Sequence, residues 1–525
     1  ATLLAFRGIQ YWCAIFSIVA LGGAVHSWTK TYWYLPFALA VFAFTGLEPI
    51  GMSSNLNYYT YPHMFLSLHI ASLLFALHYG NGPARYGLMI VSGIFLWAAG
   101  ASVLYMTVTV AGVVLLWILV PPPKESGKLG ITRRDAALLL APTAILWTLF
   151  LIVYGTEFVT AVLNMQRYSS EDLVHVLIEF NPRALRYLGV ASVLLTLMTV
   201  AWRLTALRAG LSLIAISALA FFTVGTNVLG TIPGYWRGWF SAQMWAASFL
   251  AAVLIGVIIA VAMKRFRGPD LDDNQRLVAL LAVPAGVFAI TTTAFSGMGT
   301  LTVLHVGIPA VLAGTLFLMQ GAAARRWPAG VRALGLVAIL FPFTYHLALA
   351  DWKFTYFDLS PKRLTHTLDH GFAKGIVTNQ LYAGVVDWME QRADKYSRPG
   401  DLAITLDEIA MGYMIIKRRP ALNHSWTGYA LSKALRKESI DDAIRRGRHP
   451  KIAFRFARAP LFFPDYSVKG ERYTLAGVRN FPPEDPISTY ILTHMQLVDT
   501  LQVQGDDFVE FYVRSETDGT VTPLD

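Results

Sequence analysis

The first two thirds of the chain consist of long apolar segments that short polar segments separate. A helix that crosses a membrane needs about 20 predominantly apolar residues. About 12 segments before residue 351 approach this length, so the pattern predicts a mainly α fold, a polytopic transmembrane helical bundle. The predicted spans are 9–27, 33–50, 61–80, 86–100, 103–121, 136–155, 187–204, 208–228, 241–264, 276–295, 299–320 and 331–350.

The last third of the chain has a different pattern. KIAFRFA (451–457) and DFVEFYVRS (507–515) alternate apolar and polar residues with the period of a β-strand. PGDLAITL (399–406) predicts a turn and a short strand, whereas helical patterns cover 362–396 and 428–446. These patterns predict two domains: a transmembrane helical domain at 1–350 and a C-terminal α/β domain at 351–525.

The distribution of lysine and arginine predicts which ends of the spans face the cytoplasm. One set of alternate loops contains 15 basic residues, and the opposite set contains five when Arg7 is included. Because cytoplasmic loops are enriched in lysine and arginine, the α/β domain is predicted to be extracytoplasmic. The visible N-terminus then also lies outside, which an additional helix before Ala1 would explain. If 86–121 is instead a single span with a bend at Gly100, the sides of everything before it are reversed.

Composition narrows the classes of function. Apolar residue types make up 55% of the chain and charged types only 14%, whereas a soluble domain carries about 25% charged residues. Many basic residues lie between predicted spans, so the net charge of +10 indicates membrane topology, and no nucleic-acid partner is predicted. Phosphate-binding glycine motifs, H-E-x-x-H and C-x-x-C are absent from the sequence, which leaves nucleotide hydrolysis and a structural zinc site without support.

Polar and aromatic residues collect at the predicted outer face of the membrane. A carboxylate there can act as a general base toward an acceptor hydroxyl, and an arginine can pair with a phosphate through two hydrogen bonds. Aromatic rings can stack on sugars, but tyrosine and tryptophan at this depth are also typical of the interfacial belt. In the long outer loop 156–186, the segment 170–180 predicts an amphipathic interfacial helix. The outer-face candidates are Glu48, His63, Glu157, Arg167, Arg183, Tyr235, Trp236, Arg237 and His346.

Three segments resemble the C-type (GT-C) membrane glycosyltransferases, a superfamily that includes protein O-mannosyltransferases and aminoarabinose transferases. NYYTYPHMFLSLHIASLLFALHYG (57–80) resembles the helix with a polar start that follows an outer loop in these enzymes. The loop 156–186 resembles their long outer loop with an interfacial helix. PGDLAITLDEIAMGYMIIKRRPALNHS (399–425) is similar to a strand–helix–strand pattern in their extracytoplasmic domains.

This resemblance implies transfer of a sugar from a polyprenyl-phosphate donor to a glycan, lipid or protein acceptor at the outer membrane face. Its catalytic candidates are Glu48 and Glu157, and the family's main acid is expected upstream of Ala1. The resemblance assigns no metal ligand and does not decide whether a divalent metal ion is a cofactor. The substrate-binding candidates are His63, Arg167, Arg183, Tyr235, Trp236, Arg237 and His346.

The expected location is the bacterial inner membrane, with membrane lipids as partners and the C-terminal domain in the periplasm. A second interpretation is a catalytically silent GT-C-like subunit that supports the structure or assembly of a membrane complex. The absent first-loop acid favours it, and His63 stands beside Pro62 where the family usually has another acid. An O-antigen ligase or polymerase and a transporter are further alternatives. The transporter is disfavoured because no Asp or Glu lies clearly at mid-membrane depth.

Overall fold

The chain divides into two compact units. One unit is formed by residues 7–350, and the other by residues 351–525 together with the first six residues. The structure is a computed structural model. It describes residues 3–30, 60–79, 82–102, 110–121, 129–169, 271–295, 365–378, 380–406, 412–423, 433–457, 485–504 and 507–515, with short pieces inside 254–265, 308–316 and 354–359.

Six helices are defined before residue 350 in the part of the chain that the structure describes. The fifth of them bends at Gly155, where φ is 40° and ψ is −122°, so it consists of two helical parts. An α-helix needs a φ near −63°, and glycine reaches positive φ at little cost. The helices are α1 (Leu3–Thr29), α2 (Thr60–His78), α3 (Pro83–Ser102), α4 (Val110–Leu119), α5 (Arg133–Ser169) and α6 (Asp273–Phe295).

Close backbone contact joins α3 to α5. Gly93 leaves room for the Leu139 carbonyl oxygen, because a Cβ at this position would overlap that atom. The Thr143 hydroxyl donates a hydrogen bond to the Gly93 carbonyl over 2.8 Å. Small residues and a hydroxyl that bonds to backbone are typical of helix contacts in an apolar solvent.

The prediction of about twelve membrane spans is wrong. Within the described residues, three helices are long and apolar enough to cross a membrane: Trp12–Thr29, Pro83–Ser102 and Arg133–Gly155. The predicted spans 33–50, 187–204, 208–228 and 331–350 lie outside the described residues, as do most of 241–264 and 299–320.

Three other predicted spans are helical in part but are not among these three. The segment 103–121 contains α4, whose 10 residues extend only about 15 Å, half of the hydrocarbon thickness of about 30 Å. The segment 61–80 contains α2, which carries three histidines in 19 residues. The segment 276–295 lies in α6, which contains the buried Arg276. Apolar composition alone does not specify where a helix ends or which polar side chains it has to accommodate.

A buried ion pair connects the first turns of α3 and α5. The Arg85 guanidinium donates to both carboxylate oxygens of Asp135, over 3.0 and 2.6 Å. Asp135 also accepts hydrogen bonds from the backbone N–H and the hydroxyl of Thr132, over 2.9 and 2.7 Å. These bonds give the carboxylate the several partners that a buried charge requires.

A second buried arginine, Arg276, bonds to the residue next to the one that Arg85 contacts. Arg276, at the start of α6, donates to the carbonyls of Pro121 and Leu129 over 2.6 and 2.8 Å, and Arg85 donates to that of Gly130 over 3.3 Å. The chain just after α4 and just before α5 therefore meets the first turns of α3 and α6. The Ile131 N–H also donates to the Val120 carbonyl over 3.1 Å, so the start of α3 and the end of α4 lie close together, whereas one long helix over 86–121 would separate them.

The second unit contains a five-stranded mixed sheet with the strand order β6-β5-β7-β9-β8. β5 pairs in parallel with β6 and β7, whereas β9 pairs antiparallel with β7 and β8. Two small hairpins, β1–β2 and β3–β4, precede it. The strands are β1 (Phe354–Thr355), β2 (Asp358–Leu359), β3 (His366–Thr367), β4 (Val377–Thr378), β5 (Leu402–Leu406), β6 (Arg419–Pro420), β7 (Ile452–Ala457), β8 (Gln496–Gln504) and β9 (Asp507–Val513).

Helices cover both faces of this sheet. Phe454 and Phe511 on one face pack against α7 (Gln380–Tyr396) and α8 (Gly412–Ile415). Ala453 and Tyr512 on the opposite face pack against α9 (Lys433–Arg445) and α10 (Pro486–His494). Successive residues of a strand point to opposite faces, so the alternation in 452–457 supplies both cores.

The strands predicted from alternation at 451–457 and 507–515 are confirmed as β7 and β9, and the short strand predicted in 399–406 is confirmed as β5. The helix predicted over 362–396 is wrong in its first half, because the β3–β4 hairpin occupies 366–378 and α7 begins at Gln380. Gly371 and Gly375 have φ values of 67° and 87°, which a right-handed helix does not allow. These two glycines form the hairpin turn.

We expect Arg85→Ala to lower the free energy of unfolding by about 3–5 kcal/mol, because it leaves the buried Asp135 carboxylate without its counter-ion. Reversible unfolding in mixed micelles, monitored by circular dichroism, measures this loss. The matched control Arg133→Ala removes an exposed arginine of α5 and should change stability by less than about 0.5 kcal/mol. Equal effects of the two substitutions would refute a structural role of the ion pair.

Candidate functional site

His63 lies in the first turns of α2 and is only 5% exposed. Its Nε2 atom has no hydrogen-bond partner among the described residues. Ser67 follows one turn later, is fully buried, and its hydroxyl also has no partner in the described part of the chain. Residues four positions apart lie on the same side of a helix, so the two polar groups share one side of α2.

His69 on the same helix shows how a structural histidine is satisfied. Its Nδ1 atom lies 2.8 Å from the Ser92 hydroxyl and 3.0 Å from the Ser92 carbonyl. The Ser92 hydroxyl also donates to the His69 carbonyl over 2.9 Å. These contacts join α2 to α3 and account for the burial of His69. No comparable contact in the described residues accounts for His63 and Ser67.

Buried side-chain nitrogen and oxygen atoms in native proteins almost always have a hydrogen-bond partner. A pair of unpartnered groups on one side of a helix therefore requires an explanation, and a polar ligand is one. A neutral imidazole offers a donor and an acceptor, and a hydroxyl offers both as well. Together they can form hydrogen bonds with a ligand that carries donors or acceptors.

The described part of the structure does not bring the remaining predicted site residues together. Glu157 and Arg167 lie on the second helical part of α5, after the bend at Gly155, in a segment predicted to be an outer loop. The predicted interfacial helix at 170–180 lies outside the described residues. So do the candidates Glu48, Arg183, Tyr235, Trp236, Arg237 and His346.

Sequence reasoning missed Ser67 and Ser92. The spacing of four residues between His63 and Ser67 was the available signal, since it puts both groups on one side of any helix. No local signal identifies Ser92, because its contact with His69 spans 23 residues. Within the described residues, no group of three or more His, Cys, Asp or Glu side chains is arranged to hold a metal ion.

A second cluster of titratable groups lies in the α/β unit. His370, in the turn between β3 and β4, has its Nε2 atom 3.3 Å from an Asp387 oxygen and 3.2 Å from a Glu390 oxygen. Its Nδ1 atom lies 2.5 Å from the neighbouring Asp369 carboxylate. Gly371 lies directly against the Glu390 carboxylate, which a Cβ would overlap. The imidazole thus connects the hairpin to two carboxylates one turn apart on α7.

Two pKa shifts in this cluster have the same direction. The hydrogen bond to Asp369 raises the pKa of His370, and the charges of Asp387 and Glu390 add to this effect. Burial raises the pKa of Glu390. The folded state therefore holds protons on both groups more tightly than the unfolded chain does. We therefore expect the contact between the hairpin and α7 to weaken as the pH rises.

Comparisons of the whole chain with protein-family models and with curated proteins found no match.

We expect the β3–β4 hairpin to loosen as the pH rises. His370 contributes stability that is complete below the ordinary pKa of 6.5 and is lost as the pH passes its raised value. Amide hydrogen exchange of residues 365–378, corrected for intrinsic chemistry, should be about two- to fivefold faster at pH 9 than at pH 6, the size expected for exposed ion pairs.

The variant His370→Asn should remove most of this pH dependence. The matched control His494→Asn replaces an exposed histidine that stacks on Tyr490 in α10, and it should leave the hairpin unchanged. Equal protection of the hairpin at both pH values in the parent chain would contradict the assignment.

Proposed function

We propose that this chain is a membrane glycosyltransferase that moves a sugar from a polyprenyl-phosphate donor to an acceptor at the outer face of the bacterial inner membrane. The observation that carries the proposal is the buried pair His63 and Ser67, whose polar atoms have no partner among the described residues. The pair lies in the segment 57–80, which resembles the helix after an outer loop in GT-C enzymes.

Exposed apolar side chains support the membrane placement. The first part of α5 exposes Leu149, Ile152 and Val153 by 53%, 73% and 71%. α1 exposes Ile9, Trp12, Phe16 and Val19, whose spacing of three or four residues forms one stripe along the helix. A soluble monomer rarely exposes apolar stripes of this length, whereas lipid chains cover them without cost.

Sugar transfer requires few protein side chains. An acceptor hydroxyl attacks the anomeric carbon, a new carbon–oxygen bond forms, and the bond from that carbon to the carrier phosphate breaks. The phosphate leaves with the electron pair, and the hydroxyl proton passes to a carboxylate, for which Glu48 and Glu157 are the candidates. His63 and Ser67 would bind sugar or phosphate oxygens and orient the donor. No step is assigned to a metal ion.

All polyprenyl-phosphate donors carry the same phosphate group, so undecaprenyl phosphate is the first ligand to test. We expect it to stabilise the purified chain in nanodiscs against heat, whereas undecaprenol, which lacks the phosphate, should not. If neither lipid shifts the melting temperature, the chain does not bind the carrier, and the silent-subunit interpretation replaces the transferase.

We expect His63→Ala to weaken binding of undecaprenyl phosphate about tenfold, as the loss of one hydrogen bond to a charged group does. Native mass spectrometry with graded lipid measures this change. The matched control is His78→Ala, which replaces an exposed histidine at the end of the same helix and should leave binding within about twofold. Release of carrier phosphate from sugar-loaded undecaprenyl phosphates, assayed with membranes as the acceptor source, then tests transfer itself.

A further inference from the structure

Four strands of the mixed sheet have ends that lie together at one end of the α/β unit. β5 is parallel to β6 and β7, so all three begin at this end, and β9 finishes there because it runs antiparallel to β7. Six basic residues lie at these strand ends or within four residues of them. They are called the basic end and consist of Arg398, Lys417, Arg419, Arg448, Lys451 and Arg514.

Hydrogen bonds between neighbouring segments bring the basic end together. The Lys451 N–H donates to the Leu402 carbonyl over 2.8 Å, and the Arg514 N–H donates to the Lys451 carbonyl over 2.9 Å. The Arg448 guanidinium donates to the Pro420 carbonyl over 2.7 Å. Adjacent strands lie about 4.8 Å apart, so the ends of β6, β5, β7 and β9 span about 15 Å.

None of the six cations forms an ion pair with a carboxylate in the part of the chain that the structure describes. The carboxylates at this end have other partners. Asp394 pairs with the buried Arg418 over 3.0 Å, and Asp442 pairs with Arg446 over 3.0 Å. Asp401 accepts a backbone N–H in the turn before β5 over 2.7 Å. The basic end therefore carries positive charge that the described residues do not neutralise.

The segment 417–419 shows how the fold exposes these cations. Lys417 and Arg419 are exposed, whereas Arg418 between them is buried. The Arg418 guanidinium donates to three backbone carbonyls, those of Ala393, Ser397 and Ile416, over 2.9, 2.6 and 2.6 Å. Lys417 has a φ of 54°, which is uncommon for residues other than glycine. The central arginine thus fixes the start of β6 and leaves the two flanking cations in solvent.

Several cations close together repel one another, and an anionic partner offsets this repulsion. Clusters of about four to eight lysine and arginine residues beside a membrane bind anionic lipid head groups. Three described helices are long and apolar enough to cross a membrane, and a chain held in this way keeps its other domain within reach of the bilayer surface. Lipid phosphates also accept hydrogen bonds from guanidinium groups, so the arginines supply directed contacts as well as charge.

We propose that the basic end docks the α/β unit on the anionic head groups of the membrane. The sheet presents the cations as a fixed group, because backbone hydrogen bonds set the positions of the strand ends. This inference rests on the membrane placement in the proposed function, and it does not depend on sugar transfer.

A single nitroxide at position 449 tests the docking in the full chain. His449 is exposed and lies between Arg448 and Lys451. Cys13 is the only cysteine, so His449→Cys in a Cys13→Ser background accepts one label. In nanodiscs of phosphatidylcholine with graded phosphatidylglycerol, a neutral nickel complex in the water should reach the nitroxide less as the phosphatidylglycerol content rises. Salt at about 1 M, where the Debye length is about 3 Å, should restore the access.

Two double variants connect this protection with the basic end. Lys417→Gln combined with Arg419→Gln should weaken docking about fivefold for each cation removed, so protection requires a higher phosphatidylglycerol content. The matched control, Lys374→Gln combined with Lys437→Gln, removes two exposed lysines outside the basic end and should leave the titration unchanged.

Three results would overturn the proposal. Equal access of the nickel complex at every phosphatidylglycerol content would mean that the basic end does not bind head groups. Protection in pure phosphatidylcholine that salt does not reverse would mean that a protein or apolar contact covers position 449. Equal titrations of the two double variants would assign the effect to total charge. Carrier binding at His63 is measured separately by native mass spectrometry, so failure of this inference is distinguishable from failure of the proposed function.

Discussion

The buried ion pair between Arg85 and Asp135 is the interaction on which the helical unit depends. Two buried charges are stable only when each has partners in the right geometry; Arg85 gives Asp135 two hydrogen bonds, and Thr132 gives it two more. Arg276 meets the same requirement with backbone carbonyls after α4 and before α5. Four chain segments are thereby held together.

The same requirement applies to buried polar side chains that lack a hydrogen-bond partner among the described residues. His69 is buried and satisfied by Ser92, whereas His63 is buried on the same helix and leaves Nε2 unpaired within the described residues. An unmade hydrogen bond in a buried position costs about 1–3 kcal/mol, which a polar ligand would recover. The contrast between two histidines six residues apart is therefore the strongest structural support for a donor-binding role of α2.

The α/β unit follows a different principle. Its mixed sheet is covered on both faces by helices, so alternating residues of β7 serve two separate cores. The β3–β4 hairpin is held to α7 by His370 and two carboxylates, with only a small apolar cluster beneath it. The raised pKa of His370 is the reason to expect that this contact weakens as the pH rises.

The sequence alone determined the broad division of the chain and much of its secondary structure. Long apolar segments became helices α1, α3 and α5, and alternating segments became strands β7 and β9, because local composition sets which solvent each segment prefers. It also identified His63 as a candidate. Only the tertiary structure decided the number of candidate spans among the described residues, the hairpin at 366–378 and the bend at Gly155. It also decided which polar groups are paired, since the partners of Arg85 and His69 are 50 and 23 residues away and no local pattern encodes them.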